Sequence, residues 1–546
     1  MKLSRSFTSV ALLFLPTLAA AQAADSAARV DSLFVRWNSR ETPGCTVGVG
    51  RGGRTLLTRA YGMADLEHDV PNTPETVFEA GSVSKQFTAA AVVLLAQQGR
   101  LSLDDPVRKH VPELPDYGAP LTVRHLLNHT SGLRDWGTVQ EIAGWPRGTR
   151  THTHAHVLDI AARQRALNFP PGSEYLYSNT GYNLLAVIVD RVAGEPFAEF
   201  TRRSLFQPLG MARTGWRDDF TRVVKGRAVA YELGRDSTFH SQMPFENVHG
   251  NGGLLTTVGD LLRWNENFAD ARVGGRVLVD ELQRQGVLTS GRRIQYAEGL
   301  VVARHRGIPE VNHSGATAGY RAWLARYPEQ RLSVAVLCNA AQANPVALGR
   351  RVADVFLPVS AAADAPAPVT LSAEALTARA GLYRNRRTSE PVRLAVRDGK
   401  LAAENAPPLV PLSATVFQAP SGWPRLEFDP APAGRAALRL LAADGDTFVY
   451  DPVDDWAPGA DRLDEFAGEY RSEEAEVAYT AAVEDGKLVL RRRPDARVEL
   501  TPAYVDAFTA PRGWIVRFSR DASGRVDGLS VWLDRVRGLR FDRTSR

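Results

Sequence analysis

Residues 81–96 read GSVSKQFTAAAVVLLA, and this stretch decides how the chain is interpreted. The apolar run after Lys85 predicts a buried helix, and Ser82 stands where that helix should begin. A spacing of three residues puts the Ser82 hydroxyl and the Lys85 amine on one helix face. An amine with a lowered pKa can take the proton of a hydroxyl and so make it a nucleophile. The pair therefore predicts a nucleophilic serine with a lysine beside it.

Lysine is scarce in this chain, which makes its presence at position 85 informative. Six of the 66 basic residues are lysines and the others are arginines, which cannot act as a base at ordinary pH. The tetrapeptide alone proves little, because a helix-capping serine followed by a surface lysine has the same spacing. Other parts of the chain have to decide between the two interpretations.

Two later segments carry side chains that suit the same chemistry. In Tyr177-Ser178-Asn179, which follows a proline-glycine loop, the tyrosine could relay a proton and the asparagine amide could hold a substrate carbonyl. In His313-Ser314-Gly315-Ala316, the glycine lets a substrate approach the backbone and the histidine can hold or protonate a bound group. Each segment alone also fits an ordinary turn or a structural histidine.

Taken in order, these motifs resemble the penicillin-recognising serine hydrolases: class C β-lactamases, D,D-peptidases, D-aminopeptidases and related esterases. Flanking signatures match at residues 101–107 (LSLDDPV), 126–133 (LLNHTSGL) and 208–211 (PLGM), so that the resemblance covers roughly residues 30–355. It implies an α+β fold in which an antiparallel sheet flanked by helices is accompanied by a helical lobe. No Gly-x-Ser-x-Gly motif is present in the sequence, which removes the α/β-hydrolase interpretation.

The resemblance also implies roles for the motif residues. Ser82 would be the acylated nucleophile, and Lys85 and Tyr177 would share its proton, with the choice of base left open. The backbone amides of Ser82 and Ala316 would form the oxyanion hole, which suits the free amides and dipole of a helix N-terminus. Asn179 would orient the substrate amide.

His313 and Gly315 complete the expected substrate-binding set, and His313 departs from the commonest pattern of the family. β-Lactamases and many D,D-peptidases have a lysine there, whereas a histidine is mostly neutral above its reference pKa of about 6.5. Strong recognition of a β-lactam or D-alanyl carboxylate at this position is therefore in doubt. His-x-Gly is similar to the D-aminopeptidase branch, whose substrates present a free amine and whose catalytic domain precedes two eight-stranded barrels.

The region after residue 371 has a different sequence pattern. Short segments of alternating apolar and polar residues lie between glycines and prolines, which predicts an all-β structure. Ala380-Gly381-Leu382-Tyr383 recurs as Ala467-Gly468-Glu469-Tyr470, and Asp398-Gly399-Lys400-Leu401 recurs as Asp485-Gly486-Lys487-Leu488. Both offsets are 87 residues, which indicates a duplicated unit of antiparallel barrel size. The predicted segments are a signal peptide (1–23), a β-lactamase-like domain (24–357), a linker (358–371) and two β-barrels (372–457 and 458–546).

The first residues and the bulk composition indicate where the protein acts. Lys2 and Arg5 precede a short apolar run and small residues up to Ala23, which predicts an export signal and a periplasmic or secreted protein without a stable membrane span. The net charge of +5 is spread among acids, so nucleic-acid binding is not expected. Two distant cysteines, Cys45 and Cys338, could pair or stay as buried thiols, and we expect no metal and no cofactor.

The sequence therefore predicts a serine hydrolase that cleaves amide or ester bonds of a small-molecule or peptide substrate, with D-amino acids as the D-aminopeptidase-like guess. The alternatives are an esterase or weak β-lactamase or D,D-carboxypeptidase on the same residues, and a slow-turnover penicillin-binding sensor or peptidoglycan-binding protein. The acidic stretch Glu473-Glu474-Ala475-Glu476 could pair a substrate amine if it reached the site. The oligomeric state is not predicted.

Overall fold

A computed structural model of the chain describes residues 15–358, 367–430, 435–492 and 495–545. The α-helices are α1 (Leu15–Leu33), α2 (Lys85–Gln97), α3 (Val123–Leu127), α4 (Trp136–Ala143), α5 (His154–Arg163), α6 (Asn179–Ala193), α7 (Phe197–Thr201), α8 (Val258–Asp270), α9 (Gly275–Leu282), α10 (Pro345–Phe356), α11 (Ala373–Thr377) and α12 (Ala460–Leu463). No helix within the described ranges is both long enough and apolar enough to cross a membrane.

The strands before residue 340 are β1 (Cys45–Arg51), β2 (Arg54–Tyr61), β3 (Met63–Asp65), β4 (Val70–Pro71), β5 (Phe78–Glu79), β6 (Gly215–Trp216), β7 (Tyr231–Leu233), β8 (Phe239–Ser241), β9 (Leu254–Thr256), β10 (Val301–His305), β11 (Ile308–Thr317), β12 (Tyr320–Tyr327) and β13 (Leu332–Cys338). The later strands are β14 (Gly381–Asn385), β15 (Pro391–Arg397), β16 (Lys400–Ala403), β17 (Val410–Pro411), β18 (Val416–Gln418), β19 (Arg425–Phe428), β20 (Leu438–Leu441), β21 (Thr447–Val453), β22 (Gly468–Ser472), β23 (Val477–Glu484), β24 (Lys487–Arg492), β25 (Ala496–Tyr504), β26 (Ala507–Ala510), β27 (Trp514–Arg520), β28 (Val526–Leu533) and β29 (Val536–Ser545).

The chain forms two compact units that do not follow chain order. The first unit contains residues 1–100, 189–284 and 298–361, and the second contains 101–188, 285–297 and 362–546. The segment boundaries drawn from the sequence stay predictions. Parts of the proposed leader and linker, residues 1–14 and 359–366, lie outside the described residues.

The first unit is built on a six-stranded antiparallel sheet in the order β10-β11-β12-β13-β1-β2. Alternation along β1 sends Cys45, Val47 and Val49 to one face, where they join a buried cluster with residues of α1 and α10. On the opposite face, Gly48 lets α8 approach closely, because an added Cβ would lie 3.1 Å from the Val258 side chain. Helices on both faces therefore enclose the sheet, as the family resemblance implied.

Local sequence signals in this sheet are confirmed. The β1–β2 hairpin turns at Gly52 and Gly53, which have φ angles of 57° and 77°. Such left-handed angles are the reason for glycine at both central positions of a tight hairpin. Cys45 and Cys338 stand opposite each other on β1 and β13 and form a disulfide, which resolves the alternative left open by the sequence.

The second unit combines helices α3, α4 and α5 with the duplicated β region, and the second repeat is a closed eight-stranded barrel from β22 to β29. The first repeat is a half-barrel, an eight-stranded sheet whose edge strands β16 and β17 are not paired along their length. Leu409 N–H donates to the Leu401 carbonyl at 2.8 Å, but Pro407, Pro408 and Pro411 have no N–H to extend a ladder. The predicted pair of small antiparallel barrel domains is thus confirmed, as a half-barrel in the first repeat and a closed barrel in the second.

The two repeats share equivalent hydrogen bonds and turns. The Tyr383 hydroxyl donates to the Arg379 carbonyl at 2.9 Å, and the Tyr470 hydroxyl donates to the Phe466 carbonyl at 2.7 Å, so each tyrosine caps the chain four residues earlier. The two Asp-Gly turns also match, since Asp398 and Asp485 both take left-handed φ angles, 49° and 51°. The repeat predicted from the sequence is therefore confirmed.

Candidate active site

Ser82 lies in a 3₁₀ turn, Gly81–Ser84, that leads directly into α2. The turn is fixed by Ser84, whose hydroxyl donates to the Gly81 carbonyl at 2.5 Å and accepts the Leu254 N–H at 3.1 Å. Ser82 is partly exposed, whereas Gly81, Val83 and Ser84 are buried. The local structure thus presents one hydroxyl from an otherwise buried turn, at the helix start that the sequence predicted.

Lys85 is fully buried and its amine is held at Ser82. Nζ lies 3.2 Å from Ser82 Oγ and donates a hydrogen bond to the Asn251 carbonyl at 2.6 Å. The sequence analysis did not identify Asn251, because every residue type has a backbone carbonyl and the contact therefore cannot be recognised from the residue type. The Asn251 carbonyl orients the amine so that another of its bonds can be made to Ser82.

The backbone around Gly315 and Ala316 is pressed against the Ser82 turn. A Cβ on Gly315 would lie 2.0 Å from the Ala80 carbonyl oxygen and 2.9 Å from the Ser82 amide nitrogen. Gly81 has a φ of 50°, and a Cβ there would lie 2.6 Å from the Ala316 amide nitrogen. Glycine at both positions therefore lets the amides of Ser82 and Ala316 come together, as an oxyanion hole requires.

His313 lies on β11, two residues before Gly315, and is buried. Burial, with the Lys85 amine nearby, lowers the pKa of the His313 imidazole to about 3. His313 Nδ1 lies 2.6 Å from the Ser314 carbonyl, so Nδ1 carries the proton and Nε2 is the basic nitrogen of the neutral ring. His313 is therefore uncharged at neutral pH, and weak recognition of a substrate carboxylate at this position stays a prediction.

Tyr177 and Asn179 belong to the second unit, where His129 holds the segment that carries them. The His129 carbonyl accepts the Leu176 N–H at 3.0 Å, and its Nδ1 accepts the Ser178 N–H at 3.2 Å. The Tyr177 ring lies against the His129 ring, with centroids 4.2 Å apart. His129 has a φ of 58°. Two backbone bonds on either side of Tyr177 therefore fix its position.

Asn179 is the first residue of α6, and Asp135 fixes that helix start. Asp135 Oδ2 accepts the Asn179 N–H at 2.7 Å, and its Oδ1 accepts the N–H groups of Gly137 and Thr138 at the start of α4. One buried carboxylate thus caps two helices. The hydrogen bond from Trp136 Nε1 to Asn183, at 2.9 Å, joins the same two helices.

The closed barrel also contributes to the surroundings of Tyr177, through a residue that the sequence analysis did not single out. The guanidinium of Arg535, at the tip of the β28–β29 hairpin, lies over the Tyr177 ring with Cζ 4.9 Å from its centroid. Arg535 Nη1 also lies 3.8 Å from Asp135 Oδ2. No local pattern in the sequence indicates a partner so distant along the chain, so this neighbour could be found only in the fold.

The acidic stretch of residues 473–476 does not take the role suggested for it. The Glu474 side chain is buried and bonded to Arg134, Glu473 pairs with Arg165, and Glu476 lies 3.3 Å from Arg163. Each carboxylate is therefore matched by an arginine of the helical region. The suggestion that this stretch pairs a substrate amine is not supported by these contacts.

One group of side chains has the composition of a cation site. Asp65, Glu67 and His68 lie within 4.8 Å of one another on an exposed turn. His68 Nδ1 lies 2.8 Å from Asp65 Oδ2, and Asp65 Oδ1 accepts the N–H groups of Glu67 and His68. The turn geometry alone accounts for this grouping, which is separate from the motif residues.

Comparison with known proteins defines the class. The family model described as Beta-lactamase matches residues 27–358, more than half of the chain, so the chain belongs to the beta-lactamase family. Within it, the chain is a serine hydrolase related to D-aminopeptidases and penicillin-binding proteins.

The relatives include proteins that match over the β region too. The D-aminopeptidase of Gluconobacter oxydans is 28% identical over 525 residues, covering 92% of this chain and 96% of the relative. Penicillin-binding protein 4* of Bacillus subtilis is 30% identical over 329 residues, covering 57% of this chain and 71% of the relative. The structure of a D-amino acid amidase from Ochrobactrum anthropi superposes with a TM-score of 0.53 at 23% identity, covering 61% of this chain and 98% of that one, which shows the fold.

Proposed function

We propose that the protein is an exported hydrolase that cleaves the amide bond after an N-terminal D-amino acid, through an acyl intermediate on Ser82. Ser82 Oγ attacks the carbonyl carbon, its proton passes to Lys85 and Tyr177, and the C–N bond breaks as the leaving amine takes that proton. Water then attacks the acyl-serine, which releases the D-amino acid and restores the hydroxyl. The roles of Tyr177 and Asn179 come from the order of the family motifs.

The observation that carries the proposal is the 3.2 Å contact between Lys85 Nζ and Ser82 Oγ. A nucleophile and a base within hydrogen-bond reach are the minimum requirement for acyl transfer. The close approach of the Ser82 and Ala316 amides supports it, since two backbone donors would stabilise the developing oxyanion.

The substrate class is supported by His313 and by the relatives. A neutral histidine does not offer the permanent cation that would bind a β-lactam carboxylate, whereas a relative that matches most of the chain is named D-aminopeptidase. D-alanine p-nitroanilide, L-alanine p-nitroanilide, a p-nitrophenyl ester and nitrocefin form the test panel. We expect the D-anilide to be hydrolysed with the highest kcat/KM.

Two variants test the mechanism. Ser82→Ala should abolish turnover of the D-anilide, and mass spectrometry of the wild type during turnover should show the D-alanyl mass on the peptide that contains Ser82. Thr88→Ser, a buried conservative change one turn further along α2, is the matched folding control and should keep activity. Turnover that survives in Ser82→Ala refutes the acyl-serine mechanism.

The same panel separates the alternatives. Preferred hydrolysis of the ester or of nitrocefin would assign an esterase or β-lactamase, and a stable adduct on Ser82 without product release would assign a slow-turnover sensor. The Cys45–Cys338 disulfide supports export, because disulfides persist in oxidising compartments. Detection of the protein in a periplasmic or culture fraction, with its N-terminus starting after Ala21 or Ala23, tests that part.

A further inference from the structure

The tip of the β28–β29 hairpin is fixed firmly against the helical part of the second unit. Asn168 Nδ2 donates to the Arg535 carbonyl at 2.9 Å, and Asn168 Oδ1 accepts the Arg537 N–H at 2.8 Å. Arg537 Nη1 in turn donates to Glu174 Oε2 at 2.8 Å. A two-residue tip held on both sides keeps the Arg535 side chain at Tyr177.

The Arg535 guanidinium has hydrogen-bonding capacity to spare. Among the described residues none accepts a hydrogen bond from it; its ion-pair contacts are at 3.8 Å to Asp135 and 3.5 Å to Asp534. Asp135 is committed to three backbone N–H groups, and the Asp534 side chain is 62% exposed, so neither neutralises the cation tightly. The Arg535 side chain itself is 31% exposed and can meet a ligand.

The neighbouring arginines differ from Arg535 in this respect. Arg134 is bonded to Glu474, Arg165 to Glu473, and Arg537 to Glu174. Arg535 differs because its two neighbouring carboxylates, Asp135 and Asp534, lie at 3.8 Å and 3.5 Å and accept no hydrogen bond from it, which leaves its N–H donors for a ligand. A planar fork of N–H donors at such a place binds a carboxylate in a bidentate way.

We propose that Arg535 forms an anion subsite that selects substrates whose leaving group carries a carboxylate next to the scissile amine, as in a D-aminoacyl dipeptide. This rests on the proposed function, in which Tyr177 passes a proton to the leaving amine. In an α-amino acid the carboxylate oxygens lie about 3 Å from the amine nitrogen, within the reach of a guanidinium stacked on the Tyr177 ring. The substrate class is therefore a D-aminoacyl-L-amino acid or D-aminoacyl-glycine with a free carboxyl terminus.

The test compares D-alanyl-glycine with D-alanyl-glycinamide, which differ only in the carboxylate. The wild type should prefer the acid by about 10-fold or more in kcat/KM, mainly through KM, as expected for a charged bidentate contact. Arg535→Gln should bring the acid-to-amide ratio close to 1, and Arg535→Lys should restore part of it. Arg525→Gln, an exposed arginine in the β27–β28 turn, is the control and should keep the wild-type ratio.

A ratio near 1 in the wild type, or a ratio that Arg535→Gln leaves unchanged, overturns the anion subsite even if D-alanine p-nitroanilide is hydrolysed as proposed. If none of these substrates is turned over, the proposed function fails, and calorimetric binding of the same two ligands to Ser82→Ala decides the subsite separately. Tighter binding of the acid that is lost in Ser82→Ala/Arg535→Gln supports it. Equal binding, or no binding of either ligand, overturns it.

Discussion

The buried ion pair between Arg134 and Glu474 should be a principal anchor between the closed barrel and the helical region of the second unit. Their side chains are 2% and 8% exposed. Burial alone lowers the pKa of Arg134, and Glu474 opposes that shift. Removing one charge of a buried pair leaves the other without compensation, which typically costs about 3–5 kcal/mol.

The perturbation is Glu474→Gln, which keeps the volume of the side chain. Glu474 Oε2 accepts both the Arg165 N–H, at 2.8 Å, and Arg134 Nη1, and the carbonyl oxygen of a glutamine can take its place, so the change removes the negative charge rather than the hydrogen bonds. Arg134 would then be a buried cation with neutral partners only, among them the Arg537 and Gly538 carbonyls at 3.3 Å. We expect a loss of about 3 kcal/mol in the free energy of unfolding.

The matched control is Glu473→Gln, the neighbouring residue in an exposed pair with Arg165. The two side chains of that pair are 67% and 70% exposed, so its loss should cost less than about 1 kcal/mol. Urea unfolding followed by tryptophan fluorescence and circular dichroism gives both values. Amide hydrogen exchange of residues 533–538 should rise in Glu474→Gln only, because these amides report on the docked hairpin.

A repaired variant makes the reasoning refutable. Arg134→Met in the Glu474→Gln background removes the uncompensated cation while keeping an apolar stem, and it should recover most of the lost stability. If Glu474→Gln costs no more than Glu473→Gln, or if the double variant is no more stable than the single one, the pair is not the anchor described here.

Three further changes give direct tests. Gly315→Ala forces a Cβ to within 2.0 Å of the Ala80 carbonyl, so kcat on any substrate should fall at least 100-fold while circular dichroism at 25 °C keeps the native signature. The pKa of His313 is about 3 in the folded protein and about 6.5 in the unfolded chain, so the free energy of unfolding falls as the pH drops from 6.5 towards 3. In His313→Gln, urea unfolding at pH 5 should show about 2 kcal/mol less of this loss than in the wild type. Cys338→Ser opens a cross-link between residues 293 positions apart and should cost about 3–5 kcal/mol, with intact-mass analysis confirming the oxidised wild type.

Features encoded by neighbouring residues were predictable from the sequence. The glycine pair at residues 52–53 defines a hairpin by itself, because the two left-handed φ angles are a local requirement. Ser82 and Lys85 were predictable for the same reason, as one helix turn fixes their distance. The repeat was predictable because self-similarity of the sequence needs no tertiary information.

The open edge of the first repeat was missed although its cause is present in the sequence. The repeated sequence segments at residues 381 and 398 mark a strand start and a turn, which both copies share. They do not indicate whether the strands close into a barrel. Closure depends on N–H groups in the strand after β16, where the prolines at residues 407, 408 and 411 stand.

The contacts of Arg535 with Tyr177 and with Asp135 were not predictable. Asp135 belongs to the helical region and Arg535 to the last hairpin, and their meeting depends on how the barrel packs within the second unit. The acidic residues 473–476 were misassigned for the same reason, since their arginine partners lie some 300 residues earlier in the chain. Long-range charge pairing follows from the fold and leaves no signature in a single sequence.

Charge and solvent exposure are the reasons for assigning the proposed anion subsite to the barrel. Burial and the charge of Lys85 keep His313 neutral, so His313 does not supply a cation at that position on β11. A cation for an anionic leaving group is better placed where solvent still reaches it, and Arg535 at 31% exposure meets that condition. The partly exposed Arg535 guanidinium loses little hydration until a carboxylate binds. We therefore assign the proposed reaction to the Ser82 turn and the proposed preference for an anionic leaving group to Arg535 of the closed barrel.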